Sequence, residues 1–227
     1  GRIDGGAVVT TDPDDAAGEP FAVLPGDHPR PTARGAESAT RVREIAGAAG
    51  ERDLVLVALT GGGSAIVAAP PDGIPVAALR ELTDELLASG AAIEEVNAVR
   101  KHCSAVKGGR LTALAAPARV VTVAVSDVVG DDPAVIASGP TTPDPTTFAD
   151  AIDVTERYDL DLPSTVAAHL RAGVARERPE TPTAPHPAFD CASGVLLANG
   201  QTALTAPATP AALPGHAPPH VARTLHR

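Results

Sequence analysis

The chain has 227 residues, room for one large domain, and carries 28 acids against 18 Lys and Arg for a net charge of −10. That balance argues against a nucleic-acid or membrane partner except through a local basic patch. Its apolar residues are mostly Ala and Val, with three Phe, one Tyr and no Trp or Met, so each buried side chain removes little area from water. The bases are nearly all Arg; Lys101 and Lys107 are the two lysines. An acid-rich, lysine-poor composition suits solubility in high salt. Cys103 and Cys191 lie far apart without metal-ligand spacing and read as small buried hydrophobes in a reducing compartment. No signal peptide is visible, and no apolar run reaches the roughly 20 residues that span a bilayer, so a cytoplasmic protein is expected.

In chain order, residues 7–10 and 21–24 read as short extended runs around an acidic turn. Gly26-Asp-His-Pro-Arg-Pro31 is an extended turn, because its two prolines forbid a helix. A helix is expected over 33–49. The run Leu54 to Leu59 is wholly apolar, as in a parallel strand covered by helices on both faces. It empties into Thr60-Gly-Gly-Gly-Ser64, where glycines allow several N–H groups to point at one anion. Neither G-x-G-x-x-G nor a Gly-Lys-Ser/Thr ending is present, so the loop is neither a dinucleotide nor a P-loop cradle.

Residues 75–88 form a second expected helix. Ile93, Val96, Val99, Cys103 and Val106 then recur at helical spacing, with Arg100, Ser104 and Lys107 on an adjacent face. Gly108-Gly109 allow a break or a close backbone approach. A second buried-type strand is expected at 119–125, ending in the acidic loop 126–132 and the polar loop 136–144. Helices at 147–158 and 164–176, a linker-like stretch at 179–187 and a last strand at 194–198 follow. Alternating strands and helices imply an α/β fold with a mainly parallel, Rossmann-like sheet and helices on both faces. The chain opens on Gly1 without Met, and no acid follows Asp190. Residues 1–205 read as one α/β domain truncated at both ends. Residues 206–227 are rich in Pro and His and read as a disordered or frame-shifted tail.

Three patches gather at the two strand ends. They are Gly61, Gly62, Gly63 and Ser64; Arg100, Lys101, His102, Ser104 and Lys107; and Asp127, Asp131 and Asp132, with Ser138, Gly139 and Thr141 close behind. Backbone donors, cations and carboxylates able to hold Mg²⁺ are what phosphoryl transfer requires. The bland alternatives are a cationic row that complements a helix carboxyl end and aspartates that merely form turns. His28 reads as a loop residue or a ligand contact, and His169 and His186 as surface residues.

Together the stretches at 26–31, 60–65, 97–104, 107–111, 126–132 and 136–144 resemble the type-II glycerate kinases, the glycerate 2-kinase family whose C-terminal part is the MOFRL domain. Thr60 stands where that family usually has Ser, and Cys103 where it usually has Leu. The resemblance implies ATP-dependent phosphorylation of D-glycerate to 2-phosphoglycerate with Mg²⁺. It implies catalytic roles for Lys107, Arg100 and Asp127, and a tentative metal site at Asp127 and Asp131. Phosphate or substrate contacts would come from Gly61, Gly62, Gly63, Ser64, Lys101, His102, Ser104, Gly108, Gly109, Ser138, Gly139, Thr141 and His28. Members are about twice this length, so helices carrying a further lysine would precede Gly1 and the MOFRL domain would follow residue 205. On that basis the chain alone is expected to be inactive. The alternatives are a non-catalytic anion-binding module and an inactive gene fragment. Lys107 is expected to be exposed.

Overall fold

Strands and helices alternate through the residues that the computed structural model describes, 3–14 and 18–205. Strands β1 (Gly6–Thr10) and β2 (Phe21–Pro25) pair in parallel as a separate two-stranded sheet and lead into helix α1 (Ala33–Gly47). Then come β3 (Leu54–Leu59), the single turn α2 (Gly63–Ile66), α3 (Val76–Ala88), α4 (Ile93–His102) and the short α5 (Arg110–Ala115). β4 (Arg119–Val125), α6 (Phe148–Arg157), α7 (Ser164–Val174), β5 (Ala192–Ala198) and α8 (Gly200–Thr205) complete the order. β3, β4 and β5 lie side by side, all parallel. The fold is α/β with parallel sheets, and the expected elements recur with small shifts at their ends.

Local chemistry sets several boundaries. The Thr32 hydroxyl accepts from the Gly35 N–H and starts α1. Thr147 and Asp150 cap α6 reciprocally, a pattern that satisfies N–H groups a helix start would otherwise leave unpaired.

The apolar side chains divide into three clusters. α3, α4, α6 and α7 pack on one another through Leu82, Leu86, Val99, Phe148, Val166 and Leu170. Ala46, Leu111, Ala115 and Val120 join α1 and α5 to one face of the three-stranded sheet, where Val55 and Val57 point. Ala39, Ala69 and Val106 form a small third cluster beside the turn that follows α4.

This division corrects the expected cover of β3. Four helices pack as their own layer instead of on the sheet, so one sheet face is bare among the described residues. Leu54 and Leu56 are 61% and 62% exposed there, and Val195 and Leu197 on β5 are exposed beside them. The apolar stripe of residues 93–106 also differs from a continuous helix. α4 ends at His102, and Ser104, Val106 and Lys107 belong to the turn beyond it. Cys191 is exposed, whereas Cys103 is buried as expected. The stretch 179–187 is no loose linker: Thr181 is 2% exposed, and Glu180 accepts the Phe148 N–H at the start of α6. Among the described residues no helix is long and apolar enough to cross a membrane. The tail expectation for 206–227 lies outside the described residues.

The two kinds of leucine are separable by unfolding. Leu82→Ala, at a fully buried position, should lower stability by about 2–5 kcal/mol. Leu56→Ser should stay within about 0.5 kcal/mol. Urea unfolding of each variant measures both, and equal losses would show that the bare face is covered in solution.

Candidate functional site

The site is built where α4 unwinds. Arg100 is on its last turn, and Ser104 bends the chain just after it, its Oγ accepting the Val106 and Lys107 N–H groups, both at 3.3 Å. That turn drives Lys107 inward, beside the cluster of Ala39, Ala69 and Val106. Lys107 is 6% exposed, not on the surface as expected, and its Nζ donates to the Val67 carbonyl at 3.2 Å. Lys107, Arg100, Ser64 and Ser104 line one pocket, whose apolar walls include Pro31, Leu79 and Cys103. Burial, reinforced by the Arg100 charge, pulls the Lys107 ammonium down to about 7. Burial also lowers the Arg100 guanidinium. Neither cation has a carboxylate partner among the described residues.

The glycine loop closes one side of this pocket. Gly62 takes φ +79° as the cap of α2, a left-handed conformation that a side chain would strain. A Cβ on Gly61 would fall 2.1 Å from Asp127 Oδ2, so the carboxylate that leaves β4 sits directly against the loop that leaves β3. Both strands run parallel in register, which puts these two exits side by side. His28 lies over Gly62, and Ala137 over Gly63. Ser64 reaches the other way: its Oγ is 2.7 Å from Ser138 Oγ, and Ser138 donates to Asn97 Oδ1 at 2.9 Å. The loop therefore lies between a cationic pocket and an acidic strand end.

Other predicted ligand contacts are drawn elsewhere. Lys101 is buried and pairs with Asp144 at 3.2 Å. His102 is fully buried, with Nδ1 donating to the Ala98 carbonyl and Nε2 facing Glu180 at 3.1 Å. Both have turned away from Arg100 because consecutive helical residues point about 100° apart. The Gly108 and Gly109 N–H groups are spent on the Ser138 and Gly139 carbonyls, at 3.1 and 2.8 Å, and so are not free phosphate donors. Gly139 donates its own N–H to Ile136. Thr141 Oγ1 accepts from Thr122 Oγ1 on β4, at the sheet and away from the pocket lining. His169, expected on the surface, is buried and bonds the His102 carbonyl.

Asn97 was not among the expected site residues. It lies one helical turn before Arg100, on the same face, and that i, i+3 relation was the available signal. As for metal, no three His, Cys, Asp or Glu side chains gather to hold an ion among the described residues. Asp131 is held through one carboxylate oxygen, its Oδ2 accepting from Asn199 Nδ2 at 2.6 Å. Asp127 is exposed. A Mg²⁺ that arrives on phosphate oxygens needs only one or two protein carboxylates, and Asp127 fits that lesser requirement.

A family model described as a domain of unknown function (DUF4147) matches residues 1–171. Over 187 residues the chain is 42% identical to a putative hydroxypyruvate reductase of Agrobacterium vitis, covering 79% of this chain and 49% of that protein. It is 43% identical over 161 residues to a glycerate 2-kinase of Pyrococcus horikoshii, covering 70% and 36%. The crystal structure of a glycerate kinase from Thermotoga maritima superposes with a TM-score of 0.78 at 37% identity, covering 88% of this chain and 46% of that one. The chain thus spans half or less of the length of these relatives. It belongs to the DUF4147 family and is a relative of the glycerate 2-kinases.

Proposed function

We propose that this chain supplies the acid-binding half of a glycerate 2-kinase site, which transfers phosphate from ATP to the 2-hydroxyl of D-glycerate. One observation carries the reading: Lys107, buried beside Arg100, has no carboxylate partner among the described residues. Burying a cation without a partner is costly, and an anionic ligand in the pocket removes the cost. The pocket walled by Pro31, Leu79 and Cys103 is narrow, which disfavours a bulky acid. Its carboxylate takes the two cations, and Ser64 meets a neighbouring oxygen.

The Gly61–Gly62 loop and Asp127 then serve the phosphate side. Neither the Gly61 nor the Gly62 N–H makes a backbone hydrogen bond among the described residues. Such free amides suit phosphate oxygens. Asp127 faces either Mg²⁺ or the attacking hydroxyl. Mg²⁺, when bound, offsets the charge on the phosphate oxygens. In phosphoryl transfer, holding the two anions in line and cancelling their charge does most of the work.

Reduction of hydroxypyruvate, the activity named for the Agrobacterium vitis relative, uses a similar three-carbon acid. The missing G-x-G-x-x-G spacing favours phosphoryl transfer over a nicotinamide reaction. Parallel assays decide: ATP-dependent phosphorylation of D-glycerate, and reduced-nicotinamide oxidation with hydroxypyruvate. Both should use a polypeptide of the relatives' full length. Product phosphorylated at the 2-position supports the proposal. Reduction without phosphorylation overturns it.

Two further outcomes follow from the buried lysine. In the full-length protein, Lys107→Met should lower turnover by about 10²–10³-fold. It should raise thermal stability near pH 7, because it lifts the cost of a buried ammonium. A variant that unfolds while its folded fraction keeps normal turnover would contradict both.

The pH dependence has a definite sign. The Lys107 ammonium titrates near 7 when folded and 10.5 is its ordinary value. Between those limits the unfolded chain holds a proton that the folded chain has released. Stability therefore rises with pH across that window, by up to about 1.4 kcal/mol per pH unit from this group. Thermal unfolding from pH 7 to 10 should show a rising contribution that Lys107→Met removes. Identical profiles for the two proteins would contradict it.

A further inference from the structure

We infer that Asn97 and Ser138 act as positioning residues that fix the Ser64 hydroxyl as a hydrogen-bond acceptor toward the pocket, so that the site selects acids bearing a hydroxyl beside the carboxylate. This deepens the proposed acid-binding role and rests on it. The hydroxyl protons at this site can be counted. A serine hydroxyl has one proton, and Ser138 gives its proton to Asn97 Oδ1 at 2.9 Å. Ser64 Oγ stands 2.7 Å from Ser138 Oγ, a hydrogen bond that needs a donor. Ser138 has none left, so Ser64 donates. Its proton is then turned inward, and only lone pairs remain for the pocket that it lines with Arg100 and Lys107.

An oxygen that presents lone pairs repels a carboxylate or phosphate oxygen and accepts from an alcohol. The two cations hold the acid, and Ser64 reads the hydroxyl next to it. The backbone supports this role for Ser138. It sits at φ +61°, between Ala137 at +51° and Gly139 at +58°, a left-handed run uncommon for residues with side chains. The strained turn is tied down on both sides: the Ser138 carbonyl accepts the Gly108 N–H at 3.1 Å and its own N–H reaches Val135 at 2.9 Å. It holds the hydroxyl, 1% exposed as a residue, between Asn97 and Ser64.

The direction of the chain depends on the Asn97 amide. With Nδ2 in place of Oδ1, every donor would reverse and Ser64 would point its proton at the ligand. Asn97→Asp removes that option, since both of its terminal atoms are oxygens. Asn97→Leu removes the acceptor and leaves the direction of the Ser64–Ser138 bond unset. Ser138→Gly removes the hydroxyl at a φ that glycine adopts freely, so it should keep the fold.

The test compares binding of D-glycerate with 3-hydroxypropionate, which lacks only the 2-hydroxyl, in the wild-type chain and the three variants. The wild type should prefer D-glycerate by about tenfold, the scale of one net hydrogen bond. Ser138→Gly and Asn97→Leu should reduce the preference to within about twofold, while Asn97→Asp retains it even if both acids bind more weakly. Parallel weakening of both acids with an unchanged ratio in Ser138→Gly, or loss of the ratio in Asn97→Asp, overturns the inference. Neutron diffraction from the perdeuterated chain reads the proton itself. A Ser64 deuteron on the Ser138 side supports the inference, and one directed into the pocket overturns it. That result stands even if wild type binds neither acid, an outcome that would refute the glycerate reading alone.

Discussion

The buried ammonium of Lys107 is the constraint around which this half-site is organised. It is held by one carbonyl and faces Arg100 across a small pocket. A like charge and a dry environment both work against its protonated form, and burial is the larger effect. A fold that keeps such a group inside must hold it firmly. Here it does so with a Ser104-pinned turn, two left-handed glycines after it, and the paired backbone of the 138–140 loop. The outcome is a pocket lined by two cations, neither of which has a carboxylate partner among the described residues.

The surrounding layers explain how so Ala-rich a chain keeps that geometry. The helical layer holds the larger side chains, including Phe148 and the core leucines. Between it and the sheet, small residues such as Ala39 and Ala69 allow close packing around the Lys107 turn. A buried polar network then fixes the far side of α4, where Lys101 meets Asp144 and His102 meets Glu180. Such pairs add little net stability but penalise misplacement strongly. They hold α4 in the rotation that presents Asn97 and Arg100 to the site.

Much of this could be read from the sequence, and the failures have physical causes. The Val- and Leu-rich runs at 54–59 and 119–125 declared strands, and their exits into a glycine loop and an acidic loop lie side by side at the candidate site. α2 and α5, of four and six residues, are too short to show a helical period. Arg100, Lys101 and His102 are adjacent in sequence and looked like one cationic row. On a helix they diverge, and the partners that claim Lys101 and His102 lie 43 and 78 positions away. Prolines made 179–187 look like a linker, although Glu180 and Thr181 are locked in that network. The bare sheet face was invisible too, because an apolar strand does not report which helices choose to pack elsewhere.

Lys107, buried without a carboxylate partner among the described residues, is the group that an anionic ligand must meet. A ¹⁵N NMR titration of the Lys107 Nζ in the chain, with and without saturating D-glycerate, tests it most directly. The account predicts a midpoint near 7 in the free chain and a clear upward shift with D-glycerate bound, because an adjacent carboxylate favours the charged form. A midpoint close to 10.5 that D-glycerate leaves unchanged would contradict it.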